Sequence, residues 1–101
     1  LAGLLSEGRR EEDLLCRYGG EEFLLLLRDA NAEGARLTAE RIRARVENES
    51  FRYGQTLLQI TISVGLAVYE AGESLEQLIE RADGALYQAK EAGRNRVAVA
   101  D

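Results

Sequence analysis

Two glycines followed by two acids, Gly19-Gly20-Glu21-Glu22, are the residues of this chain best placed to do chemistry. A mostly apolar run, Leu14 to Tyr18, leads in and a stronger one, Phe23 to Leu27, leads out. Gly-Gly suits the two central positions of a tight hairpin, because both tolerate positive φ. The turn then aims Glu21 and Glu22 outward from the end of a two-strand ribbon. Neighbours on a strand point to opposite faces, so one acid at most faces a given ligand unless the turn twists them together. Two readings stand on these residues alone: a solvated turn that carries acids, or a hairpin tip whose carboxylate takes a cation. A second group, Lys90 and Arg94, lies four positions apart across a predicted helix end. There the pair either opposes the helix dipole or grips an anion. No histidine is present, so Ser-His and Cys-His catalysis and His-ligated zinc are excluded. Any chemistry falls to carboxylates, Lys, Arg, Tyr or a hard cation.

The elements that must position these groups follow from periodicity. Residues 1–8 read as the last turns of a helix, with Leu1, Leu4 and Leu5 as its stripe and Gly8 as its stop. Residues 13–18 and 22–27 are predicted antiparallel strands, the second apolar on both faces as in a buried strand. Asn31 is a candidate N-cap for a helix over 32–48. Ala35, Ala39, Ile42 and Val46 form its core stripe, and Arg36, Glu40, Arg43 and Glu47 its wet face. Residues 50–55, with Gly54, form a loop or short ribbon. The alternation over 57–69 predicts one long strand, with Leu58, Ile60, Ile62, Val64 and Leu66 inward and Gln59, Thr61 and Ser63 outward. Gly65 marks a bulge or a close backbone approach. A capping box, Ser74 to Gln77, opens the last helix. Its stripe is Leu75, Leu78, Ile79, Ala82, Leu86 and Ala89, and Gly93 ends it. Residues 96–100 close the chain as a short strand.

The 101 residues make one domain, residues 1–101, with 46% hydrophobic and 31% charged residues and no proline, an ordinary globular composition. No apolar run is long enough to span a bilayer, so no membrane contact is expected from this segment. Cys16, the single cysteine, reads as a small core residue, which fits a reducing, cytoplasmic setting. The net charge of −5 argues against a nucleic-acid binder. Its basic residues gather at two spots: Arg9, Arg10 and Arg17 before the hairpin, and Lys90, Arg94 and Arg96 at the last helix end. Two cationic spots on an acidic chain suit a small anionic ligand better than a polyanion.

Gly19-Gly20-Glu21-Glu22-Phe23 resembles the signature of the GGDEF domains, the diguanylate cyclases, in its Gly-Gly-Glu-Glu-Phe form. Further matches fall in order at Arg10-Glu11-Glu12-Asp13, Ser63-Val64-Gly65, the run from Ala82 to Lys90, and Gly93-Arg94-Asn95-Arg96. The resemblance implies an α+β fold, a ferredoxin-like or palm-like sandwich with helices on a mostly antiparallel sheet. It also implies that the family's first β-α unit lies outside these residues, which would leave the sheet without a central strand, unpaired backbone groups, and a marginal or swapped fold.

The implied reaction joins two GTP molecules into cyclic di-GMP across a homodimer with Mg²⁺. Under that resemblance Glu21 holds the metal and helps deprotonate the attacking hydroxyl, and Glu22 supports the same cluster. Gly19 and Gly20 let the backbone approach the phosphates, and Lys90 and Arg94 hold the outer ones. The second metal carboxylate of the family, and its guanine-reading residues, have no counterpart here. Arg10 and Asp13 match an inhibitory site for the product, to which Arg41 adds a second arginine. Asp83 and Tyr87 read as packing residues. Competing readings are a non-catalytic receptor for cyclic di-GMP or GTP, and an α+β interaction module.

Overall fold

Two apolar runs, Phe23 to Leu27 and Ser63 to Val68, lie side by side and carry the rest of the chain. The fold is that of a computed structural model, which describes residues 14–19 (backbone), 21–28 and 32–100. The expectations for residues 1–8, Arg9, Arg10, Asp13, Gly20, the Asn31 cap, and the side chains of Cys16 and Arg17 lie outside the described residues. In chain order the elements are β1 (Leu14–Gly19), β2 (Glu22–Leu27), α1 (Ala32–Glu47), β3 (Phe51–Tyr53), β4 (Thr56–Leu58), β5 (Ser63–Val68), α2 (Leu75–Glu91) and β6 (Val97–Val99).

The main sheet has the order β1-β2-β5-β6, and β3 and β4 form a separate ribbon. The β1–β2 and β3–β4 pairs are antiparallel, whereas β2–β5 and β5–β6 are parallel. The α+β class holds, with helices packed on the sheet, but a mostly antiparallel sheet is not what the described strands form. The reason is the connections: α1 and the β3–β4 ribbon return the chain to run β5 alongside β2, and α2 does the same between β5 and β6. Such crossovers produce parallel neighbours. The expected gap at the centre of the sheet is also closed. β2 pairs directly with β5 from Glu22↔Ser63 to Leu27↔Val68 in an unbroken register, so these backbone groups are satisfied by each other.

Side chains leave the two faces of β2 alternately. Phe23, with Ile42 and Val46 of α1 and Val64 of β5, forms one cluster. Leu24 and Leu26, with Leu78, Ala82 and Leu86 of α2, form another on the opposite face. Helix, sheet and helix therefore stack in three layers. Each fully buried Leu or Phe of β2 contributes about 1.5–3 kcal/mol as an upper bound.

This layering corrects the reading of residues 57–69 as one alternating strand. Thr56–Leu58 belongs to the β3–β4 ribbon, where Leu57 and Leu58 are exposed, and β5 starts only at Ser63. From Ser63 to Ala67 every residue of β5 is buried, including Ser63, which was assigned to the wet face. A strand covered by a helix on each face has no outer side.

Helix α1 ends within a residue of expectation and buries Ala39, Ile42 and Val46. Helix α2 has the predicted capping box: Ser74 Oγ accepts the Gln77 N–H at 3.1 Å and Gln77 Oε1 accepts the Ser74 N–H at 2.8 Å. Two of its assigned packing residues are not in the core. Leu75 is 57% exposed and Tyr87 61%. Both lie off the Leu78-Ala82-Ala85-Leu86-Ala89 stripe that meets the sheet. No helix among the described residues is long and apolar enough to cross a membrane.

Gly65 is where α2 touches the sheet most closely. A Cβ there would sit 2.2 Å from the Ala82 carbonyl oxygen and 2.6 Å from the Leu86 nitrogen, both backbone atoms. The close-approach reading holds, and the unbroken register excludes a bulge. Gly65→Ala is expected to push α2 off the sheet and destabilise the fold by about 1–3 kcal/mol or more. Urea denaturation checks this. An unchanged midpoint would show that helix and strand are not in such contact.

Candidate functional site

Helix α2 follows β5 and runs back across the sheet, so its C-terminal end lies over the edge where β2 and β5 begin. That places the last-helix cations beside the hairpin tip. In β1 and β2 the pairing is Gly19↔Glu22, with a register irregularity between Arg17 and Gly19. Gly19 is therefore the last residue of β1, paired in the ladder, and not a central residue of the turn as a Gly19-Gly20 hairpin requires. Glu21 is exposed at this turn, and its carbonyl accepts the Ser63 N–H at 3.0 Å. Glu22, the first residue of β2, is half-buried.

The Glu22 carboxylate meets both cations of the α2 end. Its Oε2 lies 3.2 Å from Lys90 Nζ and 3.4 Å from Arg94 Nη1. Lys90 is in the last turn of α2, so its charge also complements the helix dipole. Arg94 gets its place from the way the helix stops. The Arg94 N–H donates to the Ala89 carbonyl at 2.9 Å and the Gly93 N–H to the Lys90 carbonyl at 3.2 Å. These two bonds make a Schellman cap, with Gly93 at φ +124°. Arg94 and Asn95 continue in the left-handed region at φ 61° and 49°. Two successive non-glycine residues there are costly, at about 1–3 kcal/mol each. The surrounding contacts must hold them.

Those contacts were not foreseen. The Asn95 N–H donates to Ser63 Oγ at 3.0 Å, its side-chain Nδ2–H to Glu47 Oε2 at 2.8 Å, and its Oδ1 accepts from Arg43 Nη1 at 2.7 Å. Arg43 also pairs with Glu40 and Glu47, at 2.6 and 3.0 Å. Arg43 and Glu47, assigned to the wet face of α1, are thus tied to the turn after α2. The available signal was Asn95 itself, a residue that tolerates left-handed backbone, directly after a helix-ending glycine. The hydrogen bond from Asn95, followed by that from Arg43, holds the Glu47 carboxyl below its ordinary value of 4.5. A lowered folded value means this contribution is full above 4.5 and is lost only as pH falls through the lowered value, so the network is intact at neutral pH.

Glu22, Lys90, Arg94 and the Glu21 backbone are thus brought together. Arg41 lies exposed on α1. Its proposed companions Arg10 and Asp13 lie outside the described residues, as does Gly20. Among the described residues, no group of three or more His, Cys, Asp or Glu side chains gathers to hold a metal. Hard carboxylate oxygens at Glu21 and Glu22 nonetheless suit Mg²⁺, which takes one or two carboxylates and completes its shell with phosphate oxygens and water. A separate cleft of about 490 Å³, lined by Glu70, Glu73, Gln77, Glu80 and Arg81 among others, sits toward the other end of α2. Its acidic lining does not suit an anionic ligand.

The family description "Diguanylate cyclase, GGDEF domain" matches residues 1–96. The chain is a GGDEF domain. It is 43% identical over 98 residues to diguanylate cyclase A of Treponema denticola, covering 96% of this chain and 26% of that protein. It is likewise 43% identical over 100 residues to diguanylate cyclase DgcP of Pseudomonas aeruginosa, covering 99% of this chain and 15% of that protein. The chain thus spans about a quarter or less of these curated relatives. Among solved structures, the GGDEF domain of DgcB from Caulobacter crescentus in complex with c-di-GMP superposes with a TM-score of 0.79 at 34% identity. That match covers 97% of this chain and 59% of that one. Diguanylate cyclase SiaD from Pseudomonas aeruginosa, solved with its activator SiaC, gives 0.75 at 36% identity, over 98% of this chain and 38% of that one.

In this GGDEF domain the Glu22 carboxylate is the anion that Lys90 and Arg94 meet among the described residues. Glu22→Gln is expected to leave the melting temperature almost unchanged, since such part-exposed pairs are worth about 0–1 kcal/mol. It should tighten binding of inorganic tripolyphosphate, without divalent cation, by about three- to tenfold, the equivalent of about 0.7–1.4 kcal/mol. Titration calorimetry reads this, and weaker binding by the variant would show that Glu22 does not compete for the two cations.

Proposed function

We propose that this GGDEF domain is the catalytic domain of a diguanylate cyclase that condenses two GTP molecules into cyclic di-GMP. The observation that carries the proposal is the meeting of the acid tip with Lys90 and Arg94. One nucleotide can touch both, with its reacting phosphate near Glu21 and Glu22 and its outer phosphates at the helix end. Names of relatives and of the c-di-GMP complex support the same reading.

The chain's own residues divide the work. Lys90 and Arg94 hold the outer phosphates. Explicit cations are needed there, because the C-terminal end of α2 is the negative end of its dipole and offers no free N–H groups. Glu21, exposed at the turn, is placed to take the proton from an attacking 3′-hydroxyl. Gly19 and Gly20 keep side chains away from the phosphates. Glu21 and Glu22 are the groups that would hold Mg²⁺, which when bound neutralises charge developing on the phosphate. The family's second metal carboxylate has no counterpart in residues 1–101. A symmetric product made from one GTP per domain requires a homodimer. Arg10, Asp13 and Arg41 form the product-inhibition site of this reading, and the domain acts in the cytoplasm.

A cyclic di-GMP receptor is the second reading, and the c-di-GMP complex of the DgcB domain is the observation that favours it. It makes Arg10, Asp13 and Arg41 the functional residues and the tip a bystander.

The intact protein, given GTP and Mg²⁺, is expected to form cyclic di-GMP. Glu21→Ala should lower kcat by about 10²–10⁴-fold, the usual contribution of a general base. Lys90→Ala should raise KM for GTP about tenfold with a smaller effect on kcat. Chromatography of the product decides the matter. If the protein makes no cyclic di-GMP yet binds it through Arg10, the receptor reading replaces this one.

A further inference from the structure

The turn Gly93-Arg94-Asn95-Arg96 and the strand start Ser63-Val64-Gly65 are joined by contacts that the proposed reaction does not by itself require. We propose that Asn95 is a positioning residue for the phosphate-binding end: anchored by Arg43, Glu47 and Ser63, it fixes the left-handed turn from which Arg94 reaches the hairpin tip. The inference rests on the reading of Arg94 as a phosphate ligand and adds to it the device that aims it.

The chemistry of the side chain explains the choice of residue. The carboxamide oxygen of Asn95 accepts a hydrogen bond from Arg43 at 2.7 Å, and its amide nitrogen donates one to Glu47 at 2.8 Å. A neutral carboxamide therefore bridges a cation and an anion that are one turn apart on α1. Aspartate has the same shape but no donor for Glu47 and would face it with like charge. Glycine accepts the backbone angle but makes neither bond. The third anchor is backbone: the Asn95 N–H donates at 3.0 Å to Ser63 Oγ, and Ser63 is the buried polar residue of the described core, 4% exposed. A buried hydroxyl needs such a partner. The chain then enters β6 through the bond from the Val64 N–H to the Arg96 carbonyl at 3.0 Å.

These anchors act on Arg94 because it is the adjacent residue, itself left-handed at φ 61° and facing Glu22 at 3.4 Å. Freed of the anchors, Arg94 and Asn95 relax toward ordinary backbone angles, and the guanidinium leaves the tip. Among the described residues the polar partners of Arg43 are Glu40, Glu47 and Asn95, away from the tip, yet it holds the residue next to Arg94. Helix α1 and the C-terminal turn of α2, which pack on opposite faces of the sheet, are thereby coupled at one side chain.

The test uses the intact protein with GTP and Mg²⁺, and measures KM and kcat separately. Asn95→Gly permits the backbone angle but removes the side-chain anchors that hold it, and is expected to raise KM for GTP about tenfold, with kcat changed by less than about threefold, as for loss of ground-state positioning. Arg43→Gln should raise KM by about three- to tenfold, whereas Arg36→Gln, which removes the same charge elsewhere on α1, should leave it unchanged. In an Arg94→Ala background, Asn95→Gly should add less than about twofold, because the group it positions is gone. Equal effects of Asn95→Gly with and without Arg94 would overturn the inference in favour of a purely structural turn. So would an unchanged KM in Asn95→Gly when Arg94→Ala raises it. An unchanged KM in Arg94→Ala itself overturns the phosphate reading beneath it, a distinguishable result.

Discussion

A single carboxylate oxygen of Glu22, shared by Lys90 and Arg94, joins parts of the chain up to 72 positions apart and is where, among the described residues, acid tip and cationic helix end come together. Everything needed for that meeting is built elsewhere. The parallel β2–β5 register sets Glu22 level with Ser63. The missing side chain of Gly65 lets α2 lie directly on β5, so that the helix returns over the strand starts. The Schellman cap then stops the helix where Arg94 can turn toward β2. The pair itself is weak, as part-exposed ion pairs are. Its importance is geometric: it reports that the scaffold brings complementary charges from distant parts of the chain to one point.

The location carries a chemical consequence. Many α/β proteins hold phosphates at a helix N-terminus, where free N–H groups and the positive end of the dipole do the binding. In the proposed reading the helix presents its other end, and the side-chain cations Lys90 and Arg94 take the place of backbone N–H groups. That explains why one lysine and one arginine sit within the last turn and its cap. It also explains why the cap needs support, since an arginine at positive φ directs its side chain only while the turn is held. Asn95 in the turn itself, bonded to Arg43 and Glu47 of α1 and Ser63 of β5, supplies that support.

Much of this was legible in the residues. The 3.6-residue stripes of both helices, the Ser74–Gln77 capping box, the Gly93 stop and the apolar β2 strand are local signals, and local signals survive folding. Strand direction was not local. Nothing within Ser63–Val68 says that β5 lies parallel to β2, because that depends on where α1 and α2 return the chain. The same holds for burial. Ser63 alternates as if on a wet face, and only the second covering helix makes it a core residue. Tyr87 and Leu75 failed in the opposite sense, apolar residues at helical spacing that the sheet does not reach. At the site, the type of residue marked Lys90 and Arg94, but the Asn95 network joins three separate segments and has no signature beyond a tolerant residue after a glycine.

The claim most exposed to experiment is that one nucleotide bridges the hairpin tip and the end of α2. Protein NMR of the ¹⁵N-labelled intact protein, titrated with a non-hydrolysable GTP analogue and Mg²⁺, tests it directly. The account predicts that the backbone amides of Glu21 and Glu22 and the signals of Lys90 and Arg94 shift together, with one dissociation constant. Shifts confined to one of these ends, at saturating analogue, would contradict it.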